Sequence, residues 1–424
     1  MRVAATSSTS LLQHGERRSM ATTSFLYHAQ GLQGYQHLRT EYGGGFETHH
    51  IERHPKKRRC GGCGARWSEL VFDGAFERTF RGLPVGRRQQ LVVLHGHEQH
   101  CKKCERTLRE PIGFTVGKQT YTRRFARYVA ELCGILQIQH VARLLGVGWD
   151  LVKGIHKRHL AMKLKRRKLG KVRYIAVDEF AVHKGHRYMT VVLDLETGEI
   201  LHAQEGKDAL ALTGFLLRLR RARKKLKAVA MDMSASYRRA VLDVFGDKVD
   251  IVHDPFHVVA LASKAIDGTR RDLVRDLEGD ERKVLKGSRF LLLRGLENVK
   301  EAGLERLMLL MELNQPLYEA YLLKEDLRMF WNLPDVEHGK TFLDQWTSQA
   351  RALGNKHFMK LANTLDHHRP GLLAWFAHRI STGPLEGLNN KIKVLKRQAY
   401  GFRDMEYFKL RLYFLHEARI DRPT

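Results

Sequence analysis

The spacing of apolar residues changes along the chain and divides it into three regions. Residues from about Ser24 to Pro111 hold short alternating segments, which are typical of half-buried strands. From Tyr121 to about Met162 the apolar residues recur every three or four positions, which predicts helices. Strand-like runs return near Arg173. The pattern therefore predicts several domains of different architecture.

The third region predicts a mixed sheet covered by helices. Three strand-like runs, near 173, over 188–195 and from 200, are joined by turns. Strands near 229 and over 249–252 then alternate with helices, and this order suits a mixed sheet. From about 257 to 379 the pattern is helical almost throughout, so we expect a large helical insertion inside this domain. The fold class expected for the chain is a multidomain combination of α+β and α/β parts.

The middle region predicts a helix-turn-helix. The short segment Leu145–Trp149 contains glycines, as the turn of such a motif requires. The helix over about 149–159 would enter the major groove with its basic side chains while burying Val152 and Ile155. The residues expected to contact DNA are Lys153, His156, Lys157 and Arg158, followed by Lys165, Arg166 and Arg167 of a basic linker. An ordinary helical hairpin would show the same apolar spacing, so that alternative stays open.

These patterns give four predicted segments. Residues 1–22 are rich in Ser and Thr without periodicity, which predicts a disordered extension. A small zinc-binding, β-rich domain is expected over 23–115, and the helix-turn-helix with its basic linker over 120–170. The remaining segment, 171–424, would form the domain with the mixed sheet and the helical insertion.

The charge of the chain favours a polyanionic partner. The formal net charge of the 424 residues is +28 at pH 7. Residues 1–171 hold 32 basic and 12 acidic side chains, a net charge of +20, so capture of double-stranded DNA should belong mainly to this part. No stretch approaches the roughly 18 apolar residues of a membrane span. We therefore expect a cytoplasmic protein associated with the nucleoid and with no membrane partner.

Four of the five cysteines form two Cys-x-x-Cys pairs, which predicts a structural Zn²⁺ site. The ligands would be Cys60, Cys63, Cys101 and Cys104. Each pair offers two thiolates from one turn, and two turns complete a tetrahedral site that can hold a domain with a small core together. Two unrelated pairs of free thiols are the plainer alternative.

Three carboxylates are candidates for a catalytic metal site. Asp178 and Asp232 end short apolar runs that are typical of buried strands, and Glu386 opens a helix after Pro384. Together they could hold two Mg²⁺ ions, or Mn²⁺, roughly 3.5 to 4 Å apart and so clamp the attacking and leaving oxygens of a phosphodiester. Each acid alone could equally cap a helix or pair with arginine. Glu179 should point to the other side of its strand, which makes it a weaker candidate.

The helix that begins near Glu386 is predicted to have two different faces. Its apolar face consists of Leu385, Leu388, Ile392 and Leu395. The opposite face carries Glu386 with Asn390, Lys393 and Arg397, a set that could hold a DNA backbone next to the acid. Asp254 and His257 follow the strand over 249–252 and, with Asn390, are expected to support the metal site or contact DNA. Asp before Pro is equally a plain strand-ending turn.

The sequence around these candidate residues resembles that of bacterial insertion-sequence transposases of the ISL-three type. The resemblance runs from about Ser24 to the C-terminal helix. Its most specific stretches are 185–195, Asp254–His257, 314–317, 322–327 and 383–402. It implies an N-terminal zinc-binding domain, a helix-turn-helix and a ribonuclease H-like Asp-Asp-Glu core interrupted by a helical insertion. The three acids implied for that core are Asp178, Asp232 and Glu386.

We therefore expect a DNA transposase that binds the terminal inverted repeats of its own element and then cuts and joins element and target DNA in a metal-dependent reaction. Pairing of two element ends would require a homo-oligomer on DNA. An alternative from another class is a catalytically inactive DNA-binding regulator derived from a transposase. A zinc-dependent hydrolase of small substrates is a third alternative, but it leaves the charge of residues 1–171 unexplained.

Overall fold

The computed structural model describes residues 25–166, 169, 172–182, 187–222 and 225–415. The chain divides between Lys165 and Arg166 into two compact units, each with its own hydrophobic cores. No helix in the described ranges is both long and apolar enough to cross a membrane. The extension expected over 1–22 and Arg167 of the expected linker lie outside the described residues.

The first unit begins with a five-stranded sheet. Its strands are β1 (Tyr35–Gly43), β2 (Phe46–Arg53), β3 (Leu70–Arg81), β4 (Gln89–Cys101) and β5 (Arg106–Arg109). The order is β1-β2-β4-β3 with β5 also paired to β4; β2 and β4 run parallel, and the other pairs are antiparallel. Ile51, Phe80 and Leu94 are fully buried in its core, as the alternation of strand side chains predicts. The β-rich N-terminal domain is confirmed.

Three helices complete the first unit. They are α1 (Arg123–Ile135), α2 (Ile138–Leu145) and α3 (Trp149–Arg166). The Thr122 side chain begins α1 by accepting a hydrogen bond from the backbone N–H of Phe125 at 3.2 Å. Gly146 ends α2 with a φ of 58°, a left-handed conformation that glycine adopts without strain. The chain can therefore turn sharply into α3, and the predicted helix-turn-helix is confirmed.

The second unit is built on a mixed sheet. Its strands are β6 (Tyr174–Ala181), β7 (Tyr188–Asp194), β8 (Ile200–Glu205), β9 (Ala228–Met231) and β10 (Asp250–His253). The order is β10-β9-β6-β7-β8. The first three strands of the unit, β6 to β8, are antiparallel neighbours, whereas β9 and β10 run parallel to β6. This arrangement confirms the expected ribonuclease H-like mixed sheet.

Helices cover both faces of this sheet. One face packs against α4 (Ala209–Arg221) and α5 (Ala235–Phe245). The other face packs against the last two described helices, Gly383–Gln398 and Met405–Tyr413. The apolar side predicted for the first of these two, Leu385, Leu388, Ile392 and Leu395, is buried against the sheet. The two layers fix the carboxyl ends of β6 and β9, where the candidate acids lie.

A helical insertion separates β10 from the helix Gly383–Gln398. Its helices are α6 (Pro255–Asp276), α7 (Gly279–Gly287), α8 (Arg289–Leu293), α9 (Glu301–Leu313), α10 (Gln315–Met329), α11 (Val336–Ala352), α12 (Lys356–His367), α13 (Arg369–Leu373) and α14 (Trp375–His378). They share one core that includes the buried side chains of Trp346 and Phe358. The chain then continues into α15 (Gly383–Gln398) and α16 (Met405–Tyr413).

Candidate active site and cysteine cluster

Asp178 lies near the carboxyl end of the central strand β6, and its side chain is held from two sides. Its Oδ1 accepts a hydrogen bond from the backbone N–H of Glu179 at 2.8 Å, and its Oδ2 accepts one from the side chain of Asn389 at 3.0 Å. Burial raises the pKa of Asp178, and the negative charge of Asp232 adds to the rise. The two hydrogen bonds and the nearby His257 oppose that rise in the pKa.

A second acid of the same strand belongs to this electrostatic cluster. Burial and the charge of Asp232 raise the pKa of Glu179, and the charge of Asp178 contributes in the same direction. Glu179 also interacts with the hydroxyl of Tyr237, which lies 2.8 Å from the Oγ1 of Thr190. Strand alternation predicts that Glu179 points to the other side of β6 from Asp178, and the contacts agree: Asn389 of α15 reaches Asp178, whereas Tyr237 of α5 interacts with Glu179. The structure brings its carboxylate under the influence of Asp232 nonetheless.

Asp232 follows β9, the strand that pairs in parallel with β6. Its Oδ1 accepts a hydrogen bond at 3.0 Å from the backbone N–H of Ser234, the residue that precedes α5. Because the carboxyl ends of parallel neighbours meet at one edge of a sheet, Asp232 and Asp178 lie near each other, and their charges interact. Both acids were expected at strand ends; Asp232 does follow β9, whereas β6 continues for three residues beyond Asp178 to Ala181.

Glu386 lies in the first turn of α15 and is exposed. It makes no hydrogen bond or ion pair within the described ranges. Its helix is joined to β6 by Asn389, three residues later and therefore on the same side of the helix as Glu386. The carboxylate oxygens of Asp178, Asp232 and Glu386 do not form a group of three within 4.8 Å of one another in the described part of the chain. The structure thus brings two acids and the helix of the third together.

Asp254 fastens the start of α15 to the end of β10. It is 2% exposed, and its Oδ1 accepts a hydrogen bond at 2.8 Å from the backbone N–H of Thr382, which precedes α15. Its Oδ2 caps α6 by accepting from the backbone N–H of His257 at 3.4 Å. The side chain of Asp254 therefore acts on the position of the Glu386 helix, and His257 influences Asp178 through its charge.

The amide expected to support the acids was Asn390, whereas the amide that contacts Asp178 is Asn389. Asn390 is exposed, and its Oδ1 lies 3.5 Å from the Nζ of Lys393. Lys393 and Arg397 are exposed on the outer face of α15, as predicted. Two consecutive asparagines differ by about 100° around a helix, so the choice between them depends on how α15 packs against β6.

The four paired cysteines converge in the first unit. All four Sγ atoms lie within 4.8 Å of one another; the Cys60–Cys104 and Cys63–Cys101 pairs are each 3.6 Å apart. A tetrahedral ion with bonds of about 2.3 Å would separate its sulfur ligands by roughly 3.8 Å, so these residues fit such a metal. Backbone N–H groups of Cys63 and Gly62 lower the pKa of Cys60 to about 6, whereas burial and the neighbouring thiols raise the pKa of Cys104 to about 12. A bound metal ion would favour the thiolate form of all four cysteines.

The expected DNA-contacting residues of α3 differ in their exposure. Lys153 and Lys157 are half-buried and Arg158 is exposed, but His156 is only 3% exposed. His156 directly follows the buried Ile155, so its ring lies on the inner side of the helix and is not presented outward as predicted. The guanidinium of Arg158 donates a hydrogen bond to the hydroxyl of Tyr121.

The basic residues predicted at the end of α3 are described only in part. Lys165 is exposed. Arg166 is the last residue of the helix, and Arg167 follows it outside the described residues. Of the residues predicted to contact DNA, the described part of α3 leaves Lys153, Lys157, Arg158 and Lys165 with access to solvent, and Lys163 of the same helix is exposed as well.

Comparisons with known proteins agree with this organisation. A family profile described as "Transposase" matches residues 175–412, and one described as the helix-turn-helix domain of transposase family ISL3 matches residues 110–160. The transposase for insertion sequence element IS1001 of Bordetella parapertussis is 34% identical over 400 residues, 92% of this chain and 97% of that protein. The transposase for insertion sequence element IS1557 of Mycobacterium tuberculosis is 31% identical over 373 residues, 82% of this chain and 83% of that protein. A solved Drosophila P element transposase strand transfer complex aligns with a TM-score of 0.39 and 9% identity, over 69% of this chain and 92% of that chain.

Proposed function

Because the chain belongs to transposase family ISL3, we propose that it binds the terminal inverted repeats of an insertion sequence and cleaves and joins DNA strands in a metal-dependent reaction. The observation that supports the catalytic part most directly is the hydrogen bond from Asn389 to Asp178. It joins the helix of Glu386 to the strand of Asp178, next to Asp232.

The proposed metal ligands are Asp178, Asp232 and Glu386. Their donors are all carboxylate oxygens, which suit Mg²⁺ or Mn²⁺. Burial and the negative charge of Asp232 raise the pKa of Asp178 and Glu179, while His257 and Lys207 oppose the rise in part; a divalent cation would supply further compensation. When bound, a pair of such cations activates a hydroxyl for attack on phosphorus and stabilises the leaving oxygen.

The remaining side chains of the site orient the acids and hold the substrate. Asn389 fixes the direction of the Asp178 carboxylate, and Asp254 fixes the start of the Glu386 helix. Glu386 is exposed, so it can change rotamer and approach the other two acids when DNA and cation arrive. Lys393 and Arg397, on the outer face of the same helix, are assigned to backbone phosphates.

The first unit is proposed to capture the element ends. Zn²⁺ bound by the four cysteines would crosslink the segment around Cys60 to the end of β4, which stabilises a small domain. The solvent-accessible basic residues of α3 would contact DNA in the major groove. We further propose that a homo-oligomer holds paired ends and a target duplex, and that it works on nucleoid DNA in the cytoplasm.

A catalytically inactive, transposase-derived regulator is the second candidate. One observation favours it: in the described ranges the carboxylate oxygens of Asp178, Asp232 and Glu386 are not gathered within 4.8 Å. A regulator would bind the repeats through the first unit and would not need the acids to meet.

Nicking of end-containing DNA separates the two candidates. The purified protein is mixed with a labelled duplex that carries an element end, with and without Mg²⁺. We expect Mg²⁺-dependent nicks at the end of the element, and a loss of at least about 100-fold in Asp178→Ala with unchanged DNA affinity. Asp243→Ala, which removes an exposed acid of α5, is the matched control with wild-type activity. Specific binding without any nicking by the wild-type protein would favour the regulator.

A further inference from the structure

Four arginines line one cavity of the first unit. The cavity has a volume of about 480 Å³ and lies where Arg53 of β2 approaches Arg123, Arg124 and Arg127 of α1. None of the described residues that line it is an Asp or a Glu. Buried Glu110 interacts with Arg53 but does not line the cavity. The cavity therefore concentrates positive charge with little compensation.

Arg53 is held rigidly in this cavity. Its Nη2 donates to the hydroxyl of Tyr35 and to the backbone oxygen of Pro111, both at 2.7 Å, and its guanidinium carbon lies 4.9 Å from the centre of the Tyr35 ring. Its Nε is buried and has no hydrogen-bond partner among the described residues. A guanidinium held in this way keeps its positive charge at a fixed position on the wall of the cavity.

The arginines of α1 supply further donors beside this fixed one. Arg123 uses its Nε to donate to the backbone oxygen of Thr115 at 3.1 Å. Arg124 and Arg127, three residues apart and both exposed, make no hydrogen bond or ion pair within the described ranges. Gly31, with a φ of 72°, lets the Arg124 side chain approach closely, because a Cβ at this position would lie only 3.0 Å from its Cγ and Nε. The backbone thus helps to direct Arg124 into the cavity.

The chemistry of this lining matches a phosphate group. Guanidinium groups bind phosphate oxygens through paired N–H donors, and the N-terminal end of α1 adds the positive end of the helix dipole. We infer that the cavity binds one or two neighbouring backbone phosphates of the DNA duplex engaged by the helix-turn-helix, an inference that rests on the proposed function. This contact would come from α1 and β2, and it would add affinity and register without reading the base sequence.

The test combines two changes. Arginines of the protein are replaced by neutral glutamine, and single phosphates of the DNA are replaced by neutral methylphosphonates. Arg124→Gln/Arg127→Gln is compared with Arg87→Gln/Arg88→Gln, which removes the same charge from an exposed β3–β4 turn. Affinity for an end-containing duplex and for a scrambled duplex is measured across a range of salt concentrations. Since each neutralised phosphate contributes about 0.9 to the slope of log affinity against log salt, we expect the slope of the cavity variant to fall by about 1 to 2 on both duplexes.

A scan with single methylphosphonates then locates the contact. Wild type and the control variant should lose affinity, about tenfold, at one or two phosphate positions where the cavity variant loses none. Zinc content and unfolding midpoint, equal in all three proteins, exclude a folding defect. A cavity variant that keeps the wild-type slope and the wild-type sensitivity at every phosphate would overturn the inference.

The outcomes separate this inference from the proposed function. Reduced slopes on both duplexes, with no preference of the wild type for the element end, would contradict end recognition and still support the phosphate contact. If inorganic pyrophosphate stabilised the wild type and not the cavity variant while both showed the same salt slope on DNA, the cavity would serve a small free anion and the inference would be wrong.

Discussion

The side chain of Asn389 donates a hydrogen bond to the carboxylate of Asp178 across 3.0 Å. The two residues are 211 positions apart in the chain, one on α15 and the other on β6. The Oδ1 of Asn389 is buried without a hydrogen-bond partner in the described part of the chain. The amide therefore does not make all of its possible hydrogen bonds in this position. Its contribution is the orientation of Asp178 and the attachment of the Glu386 helix.

Asn389→Ala should therefore impair metal-dependent cleavage. A hydrogen bond to a charged group contributes about 1.5 to 3 kcal/mol, so we expect nicking of end-containing DNA to fall roughly 10- to 100-fold. Because the defect lies in the orientation of a metal ligand, added Mg²⁺ should recover part of the rate. The measurement is the nicking rate as a function of Mg²⁺ concentration, with DNA affinity followed in parallel.

Asn390→Ala is the control for Asn389→Ala. The sequence predicts Asn390 as the supporting amide, but this residue is exposed and interacts with Lys393. We expect its loss to leave the Mg²⁺ dependence of nicking unchanged. The reverse result, a shifted Mg²⁺ requirement in Asn390→Ala and none in Asn389→Ala, would show that α15 packs differently against β6 in the active protein.

Local patterns in the sequence predicted much of this architecture. The two Cys-x-x-Cys pairs predicted a four-cysteine cluster, because each pair fixes two thiols on one turn. The apolar positions of α15, from Leu385 to Leu395, predicted which side of the helix is buried. The ends of two apolar runs, at Asp178 and Asp232, predicted their proximity, although β6 continues beyond Asp178 to Ala181. Each of these predictions depends on residues close together in the chain or on a simple rule of strand ends.

Features that depend on distant packing were missed or misjudged. The choice of Asn389 over Asn390 depends on the rotation of α15 about its axis. Strand alternation correctly predicted that Glu179 points away from Asp178, but it did not report that the charge of Asp232, beyond the end of β9, raises the pKa of Glu179. The cavity that joins Arg53 to the arginines of α1 brings together residues about 70 positions apart. No periodicity in the sequence reports such contacts.

Asp254→Ala should destabilise the second unit. The substitution removes the acceptor for two backbone N–H groups, those of Thr382 and His257, at a residue that is 2% exposed. A lost helix cap costs about 1 kcal/mol, and a buried unsatisfied donor costs about 1 to 3 kcal/mol. We expect a loss of about 2 to 4 kcal/mol in the free energy of unfolding, measured by denaturant titration, together with reduced nicking.

Asp254→Asn and Asp335→Ala are the controls for this effect. The amide introduced by Asp254→Asn keeps one oxygen that can accept from the backbone N–H of Thr382, so the loss of stability should be about half as large. Asp335 caps α11 from an exposed position, and its removal should cost about 1 kcal/mol without changing the nicking rate. Equal losses of stability and activity in the two alanine variants would argue against a specific role of Asp254 at the active site.

Removal of one cluster cysteine should release metal and unfold the first unit. We expect the purified protein to contain about one Zn²⁺ per chain and Cys101→Ser to contain almost none, because three thiolates bind far more weakly than four. DNA binding should be lost with the metal. Metal analysis and the intensity of far-ultraviolet circular dichroism provide the two measurements.

Cys133→Ala is the matched control for the cluster. Cys133 is buried in α1, away from the four clustered thiols, and its substitution should retain the Zn²⁺ and the DNA affinity. A Cys101→Ser protein with full zinc content would contradict the four-cysteine site. Loss of zinc in the Cys133 variant as well would indicate general unfolding of the first unit.

Glu179→Gln should stabilise the protein in buffer without divalent cations. Burial and the charge of Asp232 raise the pKa of Glu179, so the folded protein holds this proton more tightly than the unfolded chain does. At neutral pH the ionised carboxylate therefore weakens folding, and a neutral side chain of the same shape removes that effect. We expect the unfolding midpoint of the second unit at about pH 7.5 to rise by a few degrees.

The stability difference between Glu179→Gln and the wild type should depend on pH. As the pH falls through the raised pKa of the folded state, wild-type Glu179 becomes protonated, and the advantage of the Gln variant should shrink toward zero. Mg²⁺ at neutral pH should likewise stabilise the wild type more than the variant, because the cation compensates a charge that only the wild type carries. Glu312→Gln removes an exposed acid of α9 and should show neither dependence. A Glu179→Gln protein that is less stable than wild type at every pH would mean that the carboxylate is compensated within the fold, and the acids would then have no need of a cation.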